Sequence, residues 1–162
     1  MKTVYKTIIV GIDDTDRAME VLDKAIRVAR ESAAKLIVVS TIPYNQIVSI
    51  GYAGMDPIVF SQYVIPNQDE LTALIEERKI FIKDALQELD TTGIKEVQSV
   101  VEINDADTRI VELAEENPDA LIIIGSSDKK TIERFILGSV ARQILHTAPV
   151  DVLLVKTVQH KK

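Results

Sequence analysis

Cysteine and tryptophan are absent from this 162-residue chain, histidine occurs twice, and aromatics make up only 4% of it. The lack of cysteine removes disulfides, thiolate nucleophiles and cysteine-bound zinc together, and it suits a reducing compartment. With so few aromatics, the core has to be assembled from Val, Ile, Leu and Ala. No apolar run approaches the ~18 residues of a membrane-spanning helix. Met1 to Lys6 also lacks the apolar stretch of a signal peptide, so the expectation is a cytoplasmic chain without membrane contact.

Positive charge is in deficit: 19 Lys and Arg stand against 25 Asp and Glu, for a net charge of -6 and a pI near 5.0. Such a chain repels nucleic-acid phosphates, and nucleic acid is not an expected partner. A G-x4-G-K-[ST] phosphate loop is missing, and no Ser-His-acid set can be proposed, which argues against an efficient hydrolase. Weak ATP hydrolysis is the one activity this leaves open. The two histidines give little support to a metal site: His146 falls in a last helical turn, where the dipole favours positive charge, and His160 belongs to a polar tail.

What is present is 46% hydrophobic and 27% charged, the balance of a globular domain. One domain over residues 1–158 with a polar tail at 159–162 accounts for the length. The run Thr7-Ile8-Ile9-Val10-Gly11-Ile12 is continuous and β-branched, as in a strand buried on both faces. It ends at Asp13-Asp14-Thr15, short polar residues suited to capping a following helix. That helix carries Ala18, Leu22, Ala25, Ile26 and Ala29 on one stripe and turns Arg17, Arg27 and Arg30 toward solvent.

A second strand, Leu36 to Ile42, stops at Pro43 and opens a long loop, 44–67, without helical period and punctuated by Gly51, Gly54, Pro57 and Pro66. Loops of this length are usually functional, and Tyr44, Tyr52, Phe60 and Tyr63 give this one a surface for stacking or packing. Helical period returns from Asp69, with Asn67 and Glu70 spaced as a capping box and Gly93 placed for a left-handed end. Val97, Ser99, Val101 and Ile103 alternate as in an edge strand covered on one side. Asn104 to Asp107 is expected to cap a short helix that ends at Pro118. Ala120 to Ile124 reads as a central strand, Ser139 to Thr147 as the last full helix and Val150 to Val158 as the last strand. The alternation implies a doubly wound α/β fold, a five-stranded parallel sheet with about four helices, in which ligands sit beyond the carboxyl ends of the strands.

The most informative segment is Gly125-Ser126-Ser127-Asp128, followed after nine further residues by Gly138-Ser139. A glycine after a buried strand lets backbone N–H groups approach a phosphate, and a helix beginning at Ser139 adds N–H groups, a hydroxyl and the positive end of its dipole. From spacing alone, glycines that merely end a strand and start a helix remain the alternative. Asp13 and Asp14 also invite comparison with the magnesium-holding acids of receiver domains, with Lys156 in the last strand. However, Asn104-Asp105 after the third strand offers no clear phosphoacceptor.

The stretch from Ile122 to Ser127, Leu137-Gly138-Ser139-Val140-Ala141 and His146 to Val155, together with the opening Ile8 to Thr15, resembles the universal stress protein family in order along almost the whole chain. The resemblance is nearest the ATP-binding subgroup with G-x2-G-x9-G-[S/T], and with it goes the adenine nucleotide alpha-hydrolase-like sheet order 3-2-1-4-5. It implies a nucleotide site of Ile12, Asp13, Asp14, Thr15, Val39, Thr41, Gly125, Ser126, Ser127, Asp128, Gly138, Ser139 and Val140. In it Asp13 holds the nucleoside, the strand end near Val39 contacts adenine, and Gly125, Gly138 and Ser139 contact phosphate. The implied ligand is ATP, AMP or ADP, with magnesium or manganese as an optional companion. The implied assembly is a homodimer through the last strand, 150–158.

Asp128 departs from the subgroup by replacing its second glycine. A carboxylate ~5 Å from a phosphate charge costs roughly 3 kcal/mol at an effective dielectric near 20, about two orders of magnitude in affinity. Lys129, Lys130 or a divalent cation would offset this. The functional expectation is a nucleotide-responsive regulatory module of the stress response. The alternative is a homodimeric interaction protein of the same fold that binds no nucleotide.

Overall fold

The continuous β-branched runs form the interior strands of the sheet, because a strand with helices on both faces has no polar side to present to water. In the computed structural model, which describes residues 4–15, 17–45, 47, 67–126 and 137–157, strands and helices alternate. They are β1 (Thr7–Gly11), α1 (Ala18–Glu31), β2 (Lys35–Ile42), α2 (Gln68–Glu88), β3 (Glu96–Ile103), α3 (Ala106–Glu116), β4 (Ala120–Gly125), α4 (Ser139–Thr147) and β5 (Asp151–Val155). All neighbouring strands pair in parallel in the order β3-β2-β1-β4-β5. The expected doubly wound sheet and its order are therefore present, and the receiver comparison fails, since receivers run 2-1-3-4-5.

Alternate side chains of the inner strands enter two separate cores. Ile8, Val10, Leu36, Val38 and Ile123 pack under α1 and α2, whereas Ile9, Ile37, Val39, Ile122 and Ile124 pack under α3 and α4. Ile8, Ile9, Ile122 and Ile123 are fully buried, and each such side chain contributes about 1.5–3 kcal/mol. On α1 the stripe named from sequence is buried and is joined by Val21.

Several local expectations change. Asp13-Asp14-Thr15 does not cap α1: the N-cap is Arg17, without a side-chain cap bond. Instead the Asp13 carboxylate accepts from the Thr15 N–H at 3.0 Å and from the Thr15 hydroxyl, closing a turn on itself. Asp105 occupies the N-cap of α3 but its carboxylate makes no cap bond, and its own N–H donates to Asn104 Oδ1 at 2.8 Å. Arg30 is not simply solvated; it donates to the Thr92 and Asp90 carbonyls at 2.8 and 2.5 Å. The segment after Pro43 starts with helical Tyr44, Asn45 and Ile47, the last buried at 4% exposure, while 48–66 lies outside the described residues.

The edge assignments hold, with two refinements. β3 is an edge strand, yet it feeds both cores through Val100 and Val101 rather than being covered on one side only. β5 is the other edge and ends at Val155, with Lys156 and Thr157 beyond the strand and Val158 outside the described residues. The Asn67–Glu70 capping box at the start of α2 has both of its bonds. Gly93 takes φ +87, but in a turn closed by the Ile94 N–H on the Thr91 carbonyl at 3.2 Å and not at the end of α2, whose C-cap is Leu89.

Candidate functional site

The chain builds outward from β1 through β2 to β3, then crosses back to place β4 and β5 on the other side. Helices after β1 and β4 therefore leave opposite faces, and a crevice opens between their amino ends. At this point the structure has an open cleft of about 220 Å³. Its floor is Gly11, Ile12, Val39, Ile124 and Gly125, at the strand ends. One wall is Asp13, Thr15, Arg17, Ala18 and Val21. The other is Ala106 and Ile110 of α3 with Gly138, Ser139, Val140 and Ala141 at the start of α4, and Thr157 follows from β5.

Backbone bonds hold the two sides in register. The Ile12 N–H donates to the Val39 carbonyl at 3.0 Å, the Ser126 N–H to Val155 at 3.0 Å, and the Gly138 N–H to Ser126 at 3.3 Å. The last two pin the entry of α4 to the ends of β4 and β5. Gly138 is the N-cap of α4 with no side-chain capping bond, so the first turn presents its N–H groups and partial positive charge at the cleft wall. Gly125 has a packing reason as well: a β-carbon there would lie 3.3 Å from Val21 Cγ2 and 3.8 Å from Thr157 Cγ2.

Of the residues expected at the site, Ile12, Asp13, Thr15, Val39, Gly125, Gly138, Ser139 and Val140 line the cleft together. Asp14 does not. Its carboxylate lies toward Arg78 of α2, with Oδ2 3.5 Å from Nη2, and Asp14 is neither the N-cap of α1 nor among the residues that line the cleft. Thr41 is buried at 8% exposure and lies off the cleft, about 6.6 Å further along β2 than Val39. Ser126 is 2% exposed and off the lining, and its hydroxyl has no hydrogen-bond partner among the described residues. Ser127 and Asp128, with Lys129 and Lys130, lie outside the described residues.

Sequence reading missed Arg17, which lines the cleft instead of facing away from it, and also Ala106, Ile110 and Thr157. Arg17 carried a signal: it directly precedes the amphipathic stripe of α1, at the helix end that faces the carboxyl edge of a parallel sheet. The other three enter only because distant strands are neighbours. Among the described residues, no group of three His, Asp or Glu is arranged to hold a metal ion. The resolved pKa displacements lie away from the cleft. Tyr5 is raised, chiefly by donating to Asp151 at 2.8 Å, and Asp90 is lowered, chiefly by the Thr92 hydroxyl.

The topology and the cleft at its switch point define a doubly wound α/β domain with a ligand-type crevice at its carboxyl edge. The chain belongs to the universal stress protein family, whose sequence model matches residues 4–156. It is 30% identical to a chain of Staphylococcus aureus (strain USA300) named for the universal stress proteins, over 94% of this chain and 85% of that one. Among solved structures it is similar to the universal stress protein UspA from Lactobacillus plantarum. That match has a TM-score of 0.68 at 20% identity, covering 94% and 98% of the two chains. It is also similar to the universal stress protein from Archaeoglobus fulgidus in complex with dAMP, with a TM-score of 0.53 at 22% identity, covering 94% and 99%. No helix among the described residues is long and apolar enough to cross a membrane.

Proposed function

We propose that this universal stress protein is an adenine-nucleotide-responsive regulatory module without a catalytic centre, working as a cytoplasmic homodimer. The observation that carries the reading is the convergence of an apolar floor, the acid Asp13 and a helix amino terminus in one cleft. Ile12, Val39, Ile110 and Ile124 offer apolar surface to a base. Asp13 offers an acceptor to ribose hydroxyls, and the first turn of α4 with Ser139 offers N–H groups and a hydroxyl to phosphate. The dAMP held by the Archaeoglobus fulgidus protein supports the same ligand class. A volume of about 220 Å³ falls short of the roughly 300 Å³ at which ligand clefts and cavities begin. In this reading the base and ribose occupy the cleft while the phosphates extend over the α4 start.

Nucleotide would act by favouring one arrangement of the segments around the cleft, which requires different affinities for the two arrangements. The edge position of β5, with Val152, Leu153, Leu154 and Val155 only half-buried, supports pairing with a second copy through that strand. The deciding experiment is calorimetric titration with ATP, ADP and AMP, with and without magnesium or manganese, beside an Asp128→Gly variant. Micromolar binding by the native chain is the expected result, with a tighter ATP complex in the variant. Silence of the native chain toward all three ligands would replace this reading with that of an interaction protein of the same fold.

A further inference from the structure

Arg78 lies near the middle of α2, 38 residues from Ser40 and 64 from Asp14, yet it bonds to both. Its side chain is only 12% exposed. Nη1 donates to the Ser40 hydroxyl at 2.9 Å, and Nη2 stands 3.5 Å from Asp14 Oδ2. Ser40 is 1% exposed and follows Val39, the floor residue whose carbonyl holds the Ile12 N–H; Asp14 follows Asp13, the acid on the cleft wall. One guanidinium therefore grips the residue next to each of two cleft residues, from a helix that does not itself line the cleft. Removing its partners would leave the guanidinium as a poorly solvated cation, whereas Asp14 is half-exposed and keeps contact with water.

We propose that Arg78 is a positioning residue for the nucleoside end of the cleft. By drawing Asp14 outward it leaves Asp13 as the one acid of the pair that faces a ligand, and by bracing Ser40 it holds the end of β2 against the Asp13 turn. Ligand binding and the seating of α2 then become interdependent, so α2 is the element through which occupancy reaches the surface. This inference rests on the nucleotide reading above and assigns it a residue outside the cleft.

The test is titration of adenosine, AMP and ATP into the native chain, Arg78→Met, Arg78→Lys, Asp14→Asn and the Arg78→Met/Asp14→Asn double variant. Arg78→Met is expected to bind all three ligands about tenfold more weakly, by the same factor, since the phosphates are not what it positions. Arg78→Lys should recover part of the loss by restoring the charge facing Asp14. Asp14→Asn should weaken binding too, and the double variant should be no weaker than Arg78→Met alone. Unchanged affinity in Arg78→Met, additive losses, or a loss growing from adenosine to ATP would each overturn the proposal. If Arg78→Met does not fold, Asp14→Asn, which alters a half-exposed side chain, decides alone: unchanged affinity overturns the proposal, and equal loss for all three ligands supports it. A native chain that binds none of the ligands removes the nucleotide reading and this one together, whereas native binding with indifferent variants removes only this one.

Discussion

A β-carbon on Gly11 would stand 2.6 Å from Ile110 Cδ1, so the last residue of β1 is glycine because α3 rests directly on it. Ile110 is 1% exposed, and its terminal methyl would have to shift while Ile124 Cγ2 crowds the same β-carbon at 3.3 Å. Gly11→Ala is expected to destabilise the fold by about 1–3 kcal/mol, the usual cost of overfilling a packed site. Ile110→Val removes the clashing methyl and should return part of that loss in the double variant. Thermal unfolding of the two single variants and the double variant checks this; purely additive losses would count against the contact.

Gly93 adopts φ +87 in the connection from α2 to β3, with Arg30 lying over it and holding the Asp90 and Thr92 carbonyls. Gly93→Ala should cost about 1–2 kcal/mol through the left-handed backbone alone. Arg30→Met should cost about 1 kcal/mol by releasing two exposed carbonyl bonds. Urea midpoints at constant slope would measure both.

Asp90 is held below the ordinary carboxylate value by the Thr92 hydroxyl first and the Thr92 N–H second. A depressed folded-state value means the ionised form is favoured by folding. Its contribution is therefore present above the unfolded value of 3.8 and fades as pH falls through the lower folded value. A carboxyl-carbon NMR titration should give Asp90 a midpoint below 3.8, and Thr92→Val should raise it. A midpoint unmoved by that substitution would contradict the assignment.

Asp13 has two separable jobs, closing its turn through the Thr15 N–H and hydroxyl and presenting an acid to the cleft. Asp13→Asn keeps an acceptor for the turn and removes the charge, whereas Asp13→Ala loses both. Asn should leave stability within about 0.5 kcal/mol of native, and Ala should cost about 1 kcal/mol. For AMP, the loss of affinity should be larger with Ala. Equal behaviour of the two in both unfolding and titration would mean that the turn bonds carry no weight.

The half-buried edge strand β5 predicts a particle of twice the 18.0 kDa chain mass in light scattering at micromolar protein. A mass of one chain would defeat the dimer.

The elements that could be read early are those whose cause is local. The β-branched runs at Thr7, Leu36 and Ala120 have no polar face, so they had to be interior strands, and they are. Asn67 and Glu70 satisfy each other across three residues, and Gly93 needs only its own missing β-carbon. Gly125 and Gly138 stood out through the phosphate-cradling chemistry of a glycine after a buried strand and a glycine before a helix, with family resemblance deciding against a purely structural role as the expectation. Val39 was reached through resemblance alone. The acidic turn was misread because a helix cap and a self-closed turn use the same residues. Which one forms depends on where α1 begins, and Asp13 satisfies Thr15 before the helix starts at Ala18.

The order of apolar runs and breakers determined by itself that this chain would alternate strand and helix, because burying both faces of a strand or one stripe of a helix is a demand each segment makes alone. Only the tertiary structure decided which acid faces the cleft and which faces α2. It also decided that Arg17 and Thr157 line the same cleft as Ser139, and that Arg78 bonds both to Ser40 in β2 and to Asp14 beyond β1. Those outcomes depend on long-range neighbours brought together by the crossing from β3 to β4, and a guanidinium chooses its carboxylate by distance in space, a quantity the linear order of residues does not contain.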